Sequence, residues 1–269
     1  MSERVSVVRL EKIFRQAEQS LIVVNAHKIN RGEYPEITNK ENDFFFIRRS
    51  TAKSIVDTIA DLYKNRLPKA YNIDPFTSIQ VLSPAKKGVA GSINLNSVLQ
   101  KTINPSDITK AEHAYGSKIF RVGDKVMQTK NKYDMYYKRP GGDDGMGIFN
   151  GDMGIIENIY STDKVMVIVF DDDKTVEYPF SNLDELDLAY AVTVHKSQGN
   201  EFPVIIMPVC GFPPMLMCRN LFYTAVTRAK DMVVLVGNEE AIKYMTDNNS
   251  ENSRYTGLCS KLQKNGGES

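Results

Sequence analysis

Residues 189–201 read Ala-Tyr-Ala-Val-Thr-Val-His-Lys-Ser-Gln-Gly-Asn-Glu. Six polar or glycine positions, His195 to Asn200, leave one apolar stretch and precede another at Val204 to Met207. This is the pattern of a buried strand, a strand-connecting loop dense in hydrogen-bonding groups, and a second buried strand. Downstream, Leu221 to Ala229 has helical spacing, Met232 to Val236 reads as a strand and Glu239 to Met245 as a helix. Short apolar strands alternating with amphipathic helices predict a mostly parallel α/β sheet.

The same texture holds upstream. Leu10, Ile13, Phe14, Ala17, Leu21 and Val24 recur at helical spacing, with Gly32 as the stop. Phe44 to Ile47 suits a buried strand. Ser50 precedes a helix through Ile55, Ile59, Leu62 and Leu67 that Pro68 should end. A strand at Ser78 to Leu82 runs into Ser83-Pro84, and a further helix covers Ile93 to Leu99. Between residues 118 and 185 the helical period vanishes. Segments 118–130, 151–160, 164–170 and 174–179 read as strands broken by turns such as Asn150-Gly151-Asp152, with a surface loop at Arg139 to Gly145. A small antiparallel barrel inserted into the α/β domain is the simplest arrangement.

Bulk properties narrow the class. The chain of 269 residues has a formal net charge of +1, so a polyanion-binding surface requires local charge segregation. No apolar run approaches the ~18 residues of a membrane helix, and the amino terminus lacks a secretory pattern. Three cysteines, Cys210, Cys218 and Cys259, without CxxC spacing argue against a disulfide framework or zinc site. A cytoplasmic protein without membrane contact is expected. Locally, residues 118–139 carry seven Lys or Arg against Asp124 and Asp134, with Tyr133, Tyr136 and Tyr137 interleaved, while 171–187 carry seven Asp or Glu against Lys174. The basic part, Lys130 and Lys132 included, suits a single strand with stacked bases, or a solvated hairpin.

Four segments hold candidate chemistry. In 189–201, Thr193, His195, Lys196 and Ser197 could donate to phosphate and sugar oxygens. An ordinary polar connection would read the same way. In Leu221 to Lys230, Arg228 could reach a phosphoryl group across a cleft, or simply complement a helix dipole. In Ile13 to Ala17, Arg15 and Gln16 sit where a solvated helix edge usually lies. In Val81 to Gly91, Ser83 and Lys86 border a Lys-Gly-rich turn that could hold a nucleic-acid backbone or be a solvated loop. No GxxxxGK[ST] loop and no acidic motif after an apolar strand is present.

In this order and spacing the segments resemble the C-terminal half of RecD-like superfamily one DNA helicases, the exodeoxyribonuclease V alpha subunit family. Ile13 to Ala17 resembles motif IV, and Ser83 to Gly91 with Leu95-Asn96 resembles motif IVa. Phe120 to Gln128 and Asn150 to Gly154 are similar to the inserted SH3-like domain. Val192 to Phe202 resembles motif V, Tyr223 to Lys230 motif VI, and Arg254 to Leu258 a family-typical ending. The resemblance implies a second RecA-like motor domain, with a P-loop-NTPase-type sheet but no phosphate loop of its own. It would occupy 1–117 and 186–269, with the SH3-like barrel at 118–185.

It further implies that Arg15 and Arg228 face the γ-phosphate of ATP, and that Gln16, Gly199 and Glu201 help bind the nucleotide. Ser83, Lys86, Thr193, His195, Lys196 and Ser197 would contact single-stranded DNA, with 5′-to-3′ polarity. The phosphate loop and magnesium ligands would belong to an N-terminal RecA-like domain preceding this piece. The chain alone would bind no cofactor tightly and hydrolyse no ATP, and further subunits of a nuclease complex could be partners. The helicase half of a conjugative relaxase and a non-catalytic nucleic-acid-binding module are the alternatives.

Overall fold

The computed structural model describes residues 20–38 and 43–249. Arg15, Gln16, Cys259 and the 254–258 segment lie outside them. The elements run α1 (Leu21–Arg31), β1 (Phe44–Arg48), α2 (Ala52–Asp61), a π-helical turn (Leu62–Arg66), α3 (Leu67–Tyr71), α4 (Pro75–Ser78), β2 (Ile79–Ser83) and α5 (Ser92–Ile103). The strands β3 (Glu112–Tyr115), β4 (Lys118–Arg121), β5 (Lys125–Gln128), β6 (Lys132–Tyr137), β7 (Gly145–Ile148), β8 (Met153–Tyr160), β9 (Val165–Phe170), β10 (Lys174–Pro179) and β11 (Leu186–Leu188) follow. The chain returns through β12 (Ala191–Thr193), a 3-10 turn (Val194–Ser197), β13 (Phe202–Val209), α6 (Arg219–Val226), β14 (Ala229–Gly237) and α7 (Glu239–Asp247).

The α/β part is a five-stranded, wholly parallel sheet in the order β1-β14-β13-β2-β12. Alternation along its strands fills two cores. Ile205, Met207, Val233 and Leu235 pack with Leu21 and Ile29 of α1, Phe222 of α6 and Ile242 of α7. Val204, Ile206, Val234 and Val236 face Ile55 and Ile59 of α2 and Leu95 and Leu99 of α5. Covering both faces is what a parallel sheet requires, and it explains the near-continuous apolar runs of β13 and β14.

The inserted part is an antiparallel sheet, β10-β9-β8-β5-β11, with two hairpins, β3–β4 and β6–β7. Its core gathers Phe120, Val126, Ile156, Ile168, Phe170 and Tyr178. Pairing extends beyond 118–185 on both sides, since β3 opens at Glu112 and β11 pairs with β5 through Leu186 and Gln128.

Three local expectations differ from the structure. Phe44 is buried, but Phe45 to Ile47 are only half-buried because β1 is an edge strand. The helix from residue 52 is capped by Thr51 in a reciprocal box with Ser54, not by Ser50. Pro68 does not end it. The π turn at 62–66 leads into α3 with Pro68 in its first turn, where a missing N–H costs little, and the helix stops at Asn72 with φ 52°. The segment around Arg139 to Gly145 forms the tip of the β6–β7 hairpin.

Barrel and motor sheet are joined through one buried carboxylate. Asp124 is fully buried and its two oxygens accept four hydrogen bonds. Oδ1 receives Asn104 Nδ2 at 2.8 Å and the Tyr190 hydroxyl at 2.9 Å, and Oδ2 receives Gln100 Nε2 at 2.5 Å and the Arg121 amide at 2.7 Å. Burial pushes this carboxyl above its ordinary range, while the four bonds pull it back. Asp124→Asn should cost about 1–3 kcal/mol, because the new amide would point a donor at donors. Chemical denaturation of the two proteins should show the loss. Equal stability would mean that the cradle does not organise the junction.

Candidate functional site at the ends of the parallel strands

Ser83 and Thr193 are register partners at the carboxyl ends of β2 and β12, the edge where open parallel sheets usually present their ligands. Ser83 itself is fully buried. Its Oγ donates to the Ala90 carbonyl at 2.8 Å and accepts from the Ala85 amide at 3.2 Å. The Ser83 hydroxyl, expected to meet nucleic acid, is thus bonded within its own loop and shapes it. The loop it holds carries Lys86 and Lys87 into solvent. Gly91 closes that loop, where an added Cβ would lie 2.4 Å from the Lys87 carbonyl oxygen.

The 194–201 connection leaves this edge and reaches the amino end of β13. Its 3-10 turn exposes His195, half-buries Lys196 and buries Ser197, whose hydroxyl donates to the Val194 carbonyl at 2.7 Å. Ser197, like Ser83, shapes its loop and offers no surface. Lys196 Nζ lies 3.0 Å from Asp187 Oδ2 on β11. Asn200 Nδ2 donates to the Gly151 carbonyl at 3.0 Å, so the connection touches the barrel at two points. Neither Asp187, hidden in an acidic run, nor Asn200, unassigned within the quoted stretch, stood out in the sequence.

Gly199 has φ +91° and nothing within 4 Å of an added Cβ, so backbone conformation, not crowding, requires glycine there. The turn it makes meets the end of α6. The Arg228 carbonyl accepts from the Phe202 amide at 2.9 Å, and Arg228 Nη1 donates to the Asn200 carbonyl at 3.4 Å. Gly199, Glu201 and Arg228 thus converge at the amino ends of β13 and β14. Gly199, Asn200, Glu201 and Lys230 line a cleft of about 600 Å3, closed on the barrel side by Gly154, Phe170 and Asp171 to Asp173.

The charge segregation of the sequence is largely cancelled in space. Lys130 pairs with Asp184 at 3.2 Å and Glu185 at 3.6 Å, and Lys118 with Asp187 at 2.5 Å. Arg121 pairs with Glu112 at 2.5 Å and Arg139 with Asp143 at 3.2 Å. Lys132 stands on the β6–β7 hairpin beside exposed Tyr133 and Tyr136. No group of three or more metal-ligating side chains occurs among the described residues, and none of their helices is long and apolar enough to cross a membrane.

Comparison with known proteins first defines a class. Residues 95–170 match the family model described as the SH3 domain of ATP-dependent RecD-like DNA helicases, and 188–236 match the UvrD-like helicase C-terminal domain. Among particular relatives, the chain is 29% identical over 268 residues to the ATP-dependent RecD2 DNA helicase of Deinococcus radiodurans, covering 98% of this chain and 33% of that protein. It is 29% identical over 187 residues to the RecBCD enzyme subunit RecD of Mycolicibacterium smegmatis, covering 70% of this chain and 30% of that one. The chain spans about a third of the length of these curated relatives.

The crystal structure of Pif1 helicase from Bacteroides in complex with ADP-AlF3 and ssDNA has the same fold, with a TM-score of 0.51 at 18% identity. That match covers 97% of this chain and 57% of the Pif1 chain. The chain is similar to a RecD-like helicase over 98% of its length, in line with the motif resemblance, and residues 188–236 match a helicase C-terminal domain.

Lys125, at the cleft floor, is 5% exposed, and its ammonium reaches the Ile79 carbonyl at 3.3 Å. Burial pulls its pKa down to about 8, opposed by the nearby Asp171 charge. Between that value and the ordinary lysine range the unfolded chain binds the extra proton, so folding stability should rise with pH. Denaturation midpoints measured from pH 7 to 9.5 should increase for the wild type relative to Lys125→Met. Parallel profiles would contradict the assignment.

Proposed function

We propose that the chain is the second motor domain, with its SH3-like insert, of a 5′-to-3′ ATP-dependent DNA helicase. The observation that carries this reading is the backbone clasp between the 199–202 turn and Arg228. It brings a glycine turn, a carboxylate and a guanidinium to one edge of the sheet, as one wall of a nucleotide site would need. Arg228, together with Arg15, would stabilise charge on the γ-phosphate, and Gly199, Glu201 and Gln16 would flank the nucleotide. The phosphate cradle and the Mg2+ ligands would come from a first RecA-like domain across the cleft. The residues of this chain fit ATP from one side only.

Single-stranded DNA would run along the carboxyl edge of the sheet, held by Lys86, Thr193, His195 and Lys196, with Lys130 and Lys132 on the barrel. Ser83 and Ser197 would serve it indirectly through their loops. Retention of Arg228 beside the motif V turn favours a motor over a pure binding module, which has no need of a phosphate-facing guanidinium. Other subunits of a nuclease complex are partners consistent with the RecBCD relatives.

The test is DNA-stimulated ATP hydrolysis by this chain alone, and by the chain mixed with a separately produced phosphate-loop half. Silence alone and turnover on mixing are expected. Arg228→Ala should abolish that turnover, by about 10³-fold or more for a lost arginine finger, with oligonucleotide binding retained. Turnover unchanged by Arg228→Ala would overturn its role, and activity from the chain alone would place a complete nucleotide site within it.

A further inference from the structure

Lys196 is assigned above to the nucleic-acid backbone, yet its ammonium already holds a carboxylate. Asp187 stands on β11, the strand that joins the barrel sheet to the return into β12. Its Oδ2 lies 3.0 Å from Lys196 Nζ and its Oδ1 2.5 Å from Lys118 Nζ of β4. Lys118 also donates to the Leu186 carbonyl at 2.7 Å, which fixes it beside Asp187. The three side chains are 32%, 30% and 34% exposed in the order Lys118, Asp187, Lys196, so a ligand can reach all of them. The two ammonium groups hold Asp187 below the ordinary carboxylate range in spite of its partial burial, so it is ionised at neutral pH.

Lys196 keeps N–H donors free, but its charge is partly neutralised while Asp187 holds it, so a phosphate oxygen meets the full charge only when that pair opens. The exchange leaves no orphaned charge, because Lys118 keeps the displaced carboxylate neutralised. The cost is then of the order of a partly exposed ion pair, well below the penalty for stranding a buried charge. Asp187 also belongs to the barrel sheet, whereas Lys196 belongs to the motor loop, so the exchange severs a polar contact between that loop and the barrel. The bond from Asn200 to Gly151 does not involve a charge.

We propose that Asp187 is a positioning residue that holds Lys196 in the absence of nucleic acid and yields it to a backbone phosphate of a single strand, loosening the barrel from the 194–201 loop as the strand binds. The proposal rests on the reading of Lys196 as a nucleic-acid contact. It carries two predictions of opposite sign. Removing the Asp187 charge frees Lys196 and strengthens binding, whereas removing Lys118 leaves Asp187 wholly to Lys196 and weakens it. A merely structural role for the triad would move both variants in the same direction.

The experiment is fluorescence-anisotropy titration of labelled oligothymidylate with the full chain at several salt concentrations. Asp187→Asn should bind about two- to fivefold tighter, with a log–log salt slope steeper by up to about 0.7. Lys118→Gln should bind about two- to fivefold more weakly. In a Lys196→Ala background, Asp187→Asn should have no further effect, whereas a general gain from one less negative charge would persist there. If Lys196→Ala weakens binding but Asp187→Asn is neutral or weaker, the inference is overturned while the contact stands. If Lys196→Ala leaves affinity unchanged, the contact itself falls, and the inference with it.

Discussion

Four donors converge on the Asp124 carboxylate, and they come from three parts of the chain that are remote in sequence. Gln100 and Asn104 lie on or just after α5, the Arg121 amide belongs to the barrel entrance, and Tyr190 lies between β11 and β12. A buried carboxylate is expensive to desolvate, and it persists only where its lone pairs are filled. Its contribution is better described as specificity than as stability. A barrel rotated on the motor domain would strand the charge, so the cradle admits one orientation. Asn104 and Arg121 extend the network, since Asn104 accepts from Lys110 at 2.5 Å and its carbonyl receives the Arg121 guanidinium.

Tyr190 carries that constraint into the functional loop. Its ring packs against Tyr63 and Phe76, with centroids 6.4 and 6.1 Å away, and its hydroxyl is spent on Asp124. One residue later Ala191 enters the sheet. Its amide donates to Asn96 Oδ1 at 2.8 Å, and Asn96 Nδ2 returns a bond to its carbonyl at the same distance. The stretch that begins the 194–201 connection is thereby pinned from the barrel side and from α5. That connection spans two edges of one sheet, beginning beside Ser83 and ending at Arg228. In the proposed motor, this segment would link strand grip to nucleotide, held at its start by the Asn96 side chain and at its end by the Arg228 backbone and guanidinium.

The parallel sheet was legible because strands covered on both faces carry near-continuous apolar runs, as β13 and the Met232–Val236 part of β14 do. Motif order also placed Arg228 just past a helix whose apolar positions Leu221, Ala225 and Val226 are buried. What escaped notice were features set by pairing partners instead of by composition. The edge position of β1 is set by which strands pair with it among the described residues, where β14 is its neighbour. Pro68 is tolerated because a π turn shifts the register before it. The β6–β7 hairpin hides in a charged, tyrosine-rich segment, and Met135 and Ile148 supply much of its inward face. Ser83 and Ser197 stand in the candidate loops, but a hydroxyl near a carbonyl of its own turn satisfies itself locally, and residue type cannot separate that case from a ligand contact.

Charge is where linear reading and folded geometry part most clearly. A basic run of seven and an acidic run of seven suggest two opposed surfaces. The fold instead brings their members side by side, as Lys118 with Asp187 and Lys130 with Asp184 show. The field that a polyanion would meet is therefore weaker than the basic run alone would give, and it concentrates on lysines outside those pairs, such as Lys86 and Lys132. In the proposed motor, a chain of formal net charge +1 that gripped and released a strand repeatedly would gain from this arrangement. There, each internal carboxylate would lower the net electrostatic gain of binding and keep release accessible, while the exposed tyrosines of the hairpin would offer stacking contacts that salt does not screen.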